Sequence, residues 1–182
     1  MTRHILLPIV VALIAWFPSP PAQNNPKAGF DDAMKLIQKC RVDDLRALIT
    51  GSPLGAASAS SAVASANARN VDPSTVKSAD GTPLMVAAAA TDCTEGMRVL
   101  ILAGGELSDT DKDGRTALHA AAAESTESMV KLLVEYKADV NAKTKAGDTP
   151  VSLAKTNNYK GKTDQRDKIV KFLTSKGAKD KS

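Results

Sequence analysis

Residues 113–141, DGRTALHAAAAESTESMVKLLVEYKADVN, run as a polar turn, an alanine-rich apolar stretch, a second polar turn and an apolar stretch centred on Val130, Leu132 and Leu133. This pattern predicts two short helices packed on each other through one apolar face each. The same succession precedes it, with Asp80-Gly-Thr-Pro-Leu-Met, an alanine run, and then Gly96-Met-Arg-Val-Leu-Ile-Leu. A further turn, Gly147-Asp-Thr-Pro, follows Gly114-Arg-Thr-Ala at a spacing of 33 residues. A fixed period in this range marks a repeat architecture, so it governs the reading of the rest of the chain.

Counting outward from this unit organises the chain. Asp31 to Thr50 carries apolar residues at Met34, Ile37, Leu45, Leu48 and Ile49, which predicts two short amphipathic helices with a turn near Arg41-Val42-Asp43. Leu45-Arg-Ala-Leu-Ile lines up with Met97-Arg-Val-Leu-Ile and Val130-Lys-Leu-Leu-Val. Leu100 to Gly114 and Leu133 to Gly147 both span 14 residues, whereas Leu48 to Gly81 spans 33. The excess falls on Ser52 to Asn70, where twelve of nineteen residues are Ala or Ser. Such a segment buries little surface and reads as an exposed loop, with a weak alanine helix as the alternative. At the other end Ile169-Val-Lys-Phe-Leu follows Met129-Val-Lys-Leu-Leu by 40 residues, which places seven extra residues between the last two helices, around Asn157 to Gln165. The expected divisions are a leader at 1–22, a linker at 23–29, an N-terminal capping unit at 30–51, the insertion at 52–79, units at 80–112 and 113–145, and a C-terminal capping unit at 146–182.

The recurring turn residues have a physical job. Thr82, Thr116 and Thr149 stand just ahead of a helix, where a hydroxyl can cap free N–H groups. Pro83 and Pro150 occupy the first helical position, which needs no N–H donor. Gly81, Gly114 and Gly147 precede the caps in a turn expected to need positive φ. A lone unit cannot bury its apolar face, whereas stacked units can.

These motifs resemble the ankyrin repeat family. Thr116-Ala117-Leu118-His119, Thr82-Pro83-Leu84-Met85 and Thr149-Pro150-Val151-Ser152 match its Thr-Pro-Leu-His box with growing divergence. Ala138-Asp139-Val140-Asn141 matches its Gly-Ala-x-Val-Asn ending, with Lys137 in place of the glycine. The resemblance covers about residues 30–180 outside the insertion. It implies an all-α solenoid of about four helix–turn–helix units with projecting β-turn fingers, a concave binding surface and no catalytic chemistry. It also implies that His119 stabilises its own turn. From where such repeats usually touch partners, Asp111, Lys112, Arg115, Lys143, Lys145 and Asp148 are the expected contact residues.

The amino terminus reads differently. Met1-Thr-Arg-His is a short basic start, Ile5 to Phe17 is apolar apart from Pro8, and Pro18-Ser-Pro-Pro-Ala-Gln follows. This is the pattern of a secretory signal peptide ending at Ala22, although Pro20 fits the site poorly; an uncleaved anchor is the alternative. Export would place the protein in a periplasm or outside the cell, a bacterial setting being inferred from the simple signal and the absence of Asn-x-Ser/Thr sites. Cys40 and Cys93 would then meet an oxidising compartment, where an even count favours a disulfide. In the repeat frame Cys40 aligns with Asp92, so both fall near inter-helix turns of neighbouring units. The alternative is two unpaired thiols.

Candidate chemistry is sparse. Aromatic residues make up 3% of the chain and net charge is +4, too mild for nucleic acid. His119 is the one histidine beyond the leader, too little for a zinc site. Asp109, Asp111 and Asp113 imitate the start of a calcium loop, but the twelfth position is Ala120 where such a loop needs glutamate. Gly161-Lys162-Thr163 imitates a phosphate loop without its first glycine. Lys155 to Ser182 holds nine basic and three acidic residues, a solvated cap or a basic patch for an acidic partner. No cofactor or metal is expected. The expected function is non-catalytic binding of a protein partner by a monomer. An inhibitor or protective factor for a periplasmic enzyme, and a small-ligand or calcium-binding protein, are the alternatives.

Overall fold

The computed structural model describes residues 26–50, 71–156 and 163–181. The leader at 1–22, most of the Ala/Ser-rich insertion and residues 157–162 lie outside them. Eight helices follow in order: α1 Pro26–Gln38, α2 Val42–Thr50, α3 Leu84–Ala89, α4 Thr94–Leu102, α5 Ala117–Glu124, α6 Glu127–Glu135, α7 Pro150–Thr156 and α8 Thr163–Ser175. The odd-numbered helices stack in one row and the even-numbered in another, and each helix also packs on its partner within the pair. The only β pairing outside helices among the described residues is an isolated bridge between Lys77 and Pro83. The all-α solenoid expected from the period is the observed architecture.

Size complementarity explains the two rows. Ala88, Ala89, Ala121 and Ala122 are buried in α3 and α5, so the odd-numbered row approaches closely. Leu84, Met97, Leu100, Leu118, Met129, Leu133, Ile169 and Leu173 fill the layer between the rows with no exposure above 2%. No helix in the described residues is long and apolar enough to cross a membrane.

Two boundaries differ from the sequence reading. The first helix begins at Pro26, so 26–29 of the expected linker is helical. Proline suits a first turn, where its missing N–H is no loss. The expected insertion also runs too far. Val71 and Val76 are buried, Val71 lies 3.4 Å from where a Cβ on Gly29 would stand, and the Val71 N–H donates to the Leu48 carbonyl at 3.4 Å. These apolar anchors belong to the first finger, although averaged composition had hidden them inside an Ala/Ser-rich stretch.

The finger row and the turn row

Three fingers, at 71–83, 103–116 and 136–149, share one hydrogen-bond scheme. The key residues are Ser78, Asp111 and Thr144, spaced by 33. Ser78 Oγ accepts the Thr82 N–H at 3.0 Å, Asp111 Oδ1 the Arg115 N–H at 2.9 Å, and Thr144 Oγ1 the Asp148 N–H at 3.0 Å. A backbone bond from Gly81, Gly114 or Gly147 back to the same residue, at 2.9–3.1 Å, closes each turn. Gly114 has φ +78°, and a Cβ there would lie 2.9 Å from the Lys145 backbone nitrogen. The close approach lets the Lys145 N–H donate to the Asp113 carbonyl at 2.9 Å, joining finger to finger.

The helix starts divide in the same orderly way. At α5 the Thr116 N–H donates to His119 Nδ1 at 3.2 Å, and His119 Nε2 lies 3.1 Å from the Asp148 carbonyl of the next finger. An Nδ1 that accepts leaves Nε2 as the donor, so the ring is the neutral Nε2–H tautomer. Its ring is fully buried, and burial, the largest influence, holds its pKa below the ordinary histidine value. His119 therefore bonds within its own turn and, through a second bond, across the repeat. At α7 Ser152 takes the equivalent place: Thr149 N–H donates to Ser152 Oγ at 2.9 Å and Ser152 N–H to Thr149 Oγ1 at 3.3 Å. At α3 the place is taken by Met85, and Asp80 serves the turn instead, accepting from Ser78 Oγ and from Thr82 Oγ1 at 3.1 Å. The Ser78 hydroxyl is the main cause of a lowered Asp80 pKa.

The six expected contact residues lie along this row, but their side chains are differently engaged. Asp111 binds the Asp113 and Arg115 N–H groups, both at 2.9 Å. Arg115 pairs with Glu124 at 2.5 Å, bridging the finger to the end of α5. Lys145 Nζ donates to the Lys112 carbonyl at 2.6 Å, and Asp148 pairs with Lys181 at 2.8 Å. The side chains of Lys112 and Lys143 are exposed and make no polar contact among the described residues. The recurrence of Ser78, Asp111 and Thr144 escaped the sequence reading because three different side chains do one job; their shared spacing from the following glycine was the available signal.

Opposite the fingers, the turns between paired helices form a second stitched row. Cys40 and Cys93 are bonded, with Cα atoms 5.4 Å apart. Ser125, fully buried, donates through Oγ to the Thr91 carbonyl at 2.7 Å, and the Glu127 N–H donates to Gln165 Oε1 at 3.2 Å. The carboxyl-terminal residues dock on the last full finger, with Asn141 Nδ2 donating to the Gly177 carbonyl at 3.3 Å and the Lys179 N–H donating to Asn141 Oδ1 at 2.7 Å. Lys155, by its hydrogen bond, is the main cause of a lowered Asp180 pKa there.

No three His, Cys, Asp or Glu side chains among the described residues are placed to hold a metal. The acidic lead-in 109–113 has its central carboxylate occupied by backbone donors.

Comparison with known proteins agrees with this geometry. A family profile described as "Ankyrin repeats (3 copies)" matches residues 38–144 and 84–182. A Caenorhabditis elegans protein with the name "Putative glutaminase 2" is 47% identical over 60 residues, 32% of this chain and 10% of that protein. An ankyrin repeat protein of Acanthamoeba polyphaga mimivirus is 35% identical over 85 residues, 45% of this chain and 12% of the relative. Serine/threonine-protein kinase 12 of Arabidopsis thaliana is 43% identical over 56 residues, 31% and 12% of the two chains. The chain thus spans about a tenth of the length of these relatives, and the likeness is one of repeat to repeat. With periodic fingers, paired helices and a family match over most of its length, this chain belongs to the ankyrin repeat family, whose arrays are protein–protein interaction modules.

Proposed function

We propose that this chain is exported and works as a non-catalytic, monomeric binding module, holding a protein partner against its finger tips and concave face. The observation that carries the reading is the division of labour along the fingers. Asp111, Arg115, Lys145 and Asp148 stiffen the row, while Lys112 and Lys143 extend from successive fingers with no polar partner among the described residues. A rigid surface loses little entropy on association. The row also changes sign along its length. Residues 103–116 carry four carboxylates against two cations, 136–149 three lysines against two carboxylates, and 176–181 three lysines against one. Leu102, 71% exposed, is the one large apolar side chain left open among the described residues. The surface therefore selects by charge and shape, and its partner presents cations opposite the second finger and carboxylates opposite the third.

Capture from an extract of the exported fraction tests this. One stoichiometric protein is expected, bound more weakly at high salt. The Lys112→Glu/Lys143→Glu double variant should lose at least about tenfold in affinity, whereas Lys131→Glu on α6 should not. Equal capture by the finger variant would overturn the assignment. Export has its own check. Trp16 is the only tryptophan. Protein recovered from the exported fraction should lack indole fluorescence, and an indole signal there would reject cleavage.

A further inference from the structure

We propose that the Cys40–Cys93 bond is a directional thiol-exchange site, at which an incoming thiolate bonds to Cys40 and Cys93 departs as the thiolate. The two sulfurs have opposite surroundings. Cys40 is exposed in the turn that ends α1, and Cys93, 5% exposed, is the residue that caps the amino terminus of α4. The Gly96 N–H donates to Cys93 Sγ at 3.3 Å. Negative charge developing on Cys93 therefore meets a hydrogen-bond donor and the positive end of a nine-residue helix, whereas Cys40 stands between the carbonyl end of α1 and the start of α2, where the two helix ends oppose each other. A better-stabilised leaving thiolate leaves faster, so the bond should break toward Cys93.

The bond is also open to solvent on the Cys40 side, where that residue is exposed. A surface groove of about 230 Å³ runs beside the bond, lined by Ile37, Gln38, Cys40, Thr91, Asp92 and Cys93. That volume suits the reactive end of a small thiol. The flanking charges oppose this contrast, with Lys39 and Arg41 beside Cys40 and Asp92 and Glu95 beside Cys93. They lie toward solvent, which screens them, and Arg41 is paired to Asp44, whereas the Gly96 N–H acts directly on the buried sulfur. In the exchange the thiolate lone pair forms the new S–S bond to Cys40, and the old bonding pair stays on Cys93. A second thiolate then attacks the outer sulfur of the mixed disulfide and releases the Cys40 thiolate. The sum is one protein disulfide plus two thiols giving one protein dithiol plus one small disulfide, a two-electron reduction. Opening the bond leaves α1 and α2 held to the array by packing on α3, α4 and the first finger.

The test uses the oxidised full chain with reduced glutathione and no denaturant, quenched with acid, alkylated and mapped by peptide mass. The expected product carries glutathione on Cys40 and an alkylated Cys93, in at least about tenfold excess over the reverse adduct. Its rate should be unchanged by low urea. Adducts on Cys93, equal labelling of both residues, absence of exchange while folded, or a rate that climbs with urea in step with unfolding would each overturn the proposal.

Discussion

At the scale of single residues, His119 shows how much one ring can organise. It satisfies the start of α5 through Nδ1 and reaches the next finger through Nε2, with its ring fully buried. The Nδ1 bond needs the neutral ring, whereas Nε2–H can donate in either form, and burial, the largest influence, lowers the pKa. The unfolded chain therefore takes up the proton first as pH falls. The stability owed to neutral His119 is complete above about pH 6.5, the ordinary histidine value, and is lost as pH drops toward the folded pKa. The difference in unfolding free energy between the native chain and His119→Gln should accordingly shrink as pH falls below that value. A difference constant between pH 7 and 5 would show that the ring is not held neutral. His119→Ala should cost about 1–3 kcal/mol in denaturant melts at pH 7, the usual penalty for stranding buried polar partners. The role of His119 within its own turn was legible from the motif. Its bond to Asp148 was not, because it joins residues 29 apart whose proximity only the stacking creates.

At the scale of the element, each helix is too short to persist alone: α3 has six residues and α4, α6 and α2 nine each. Their ends matter correspondingly. After α4, α6 and α8 the chain closes with the same pair of backbone bonds, the second reaching back to Leu100, Leu133 and Leu173 at 3.0 Å in each case. The residue at the left-handed position is Gly104 in the first, Gly177 in the last and Lys137 in the middle, where φ is +69°. A side chain there costs about 1–2 kcal/mol. Lys137→Gly should stabilise the array by about 1 kcal/mol, read as a raised denaturation midpoint with unchanged slope. A lowered midpoint would mean that the lysine side chain contributes more than its backbone geometry costs. The missing glycine was visible in the sequence as a departure from the Gly-Ala-x-Val-Asn pattern, and the positive φ gives it physical meaning. Gly105 shows the opposite case. A Cβ there would stand 2.3 Å from Met85 Sδ, so the methionine that replaces the box histidine in this unit is accommodated by a glycine twenty residues on. No local pattern carries that pairing.

At the scale of the molecule, the array is a stack in which each unit contacts its neighbours. Stability in such a stack is close to a sum of unit and interface contributions, so damage should remain local. The period of 33 made the central two units legible. The ends were read less well because an Ala/Ser-rich stretch in one and seven additional residues in the other break the count. The repeat frame put Cys40 and Cys93 near neighbouring turns and left bond and free thiols both open; the structure shows the bond, with a Cα separation of 5.4 Å. The bond joins residues 53 apart in sequence, the largest span of any tie in the turn row. Constraining a loop of that size in the unfolded chain is worth roughly 4 kcal/mol. The Cys40→Ala/Cys93→Ala variant should lose an amount of that order, and its location should be telling. Hydrogen exchange ought to accelerate in α1 and α2 while α5 and α6 keep their protection, because the outer pair then holds to the array only through packing on α3, α4 and the first finger. Uniform acceleration along all eight helices would contradict this, showing that the stack unfolds as one unit and that the bond stabilises the molecule as a whole instead of fastening its first pair.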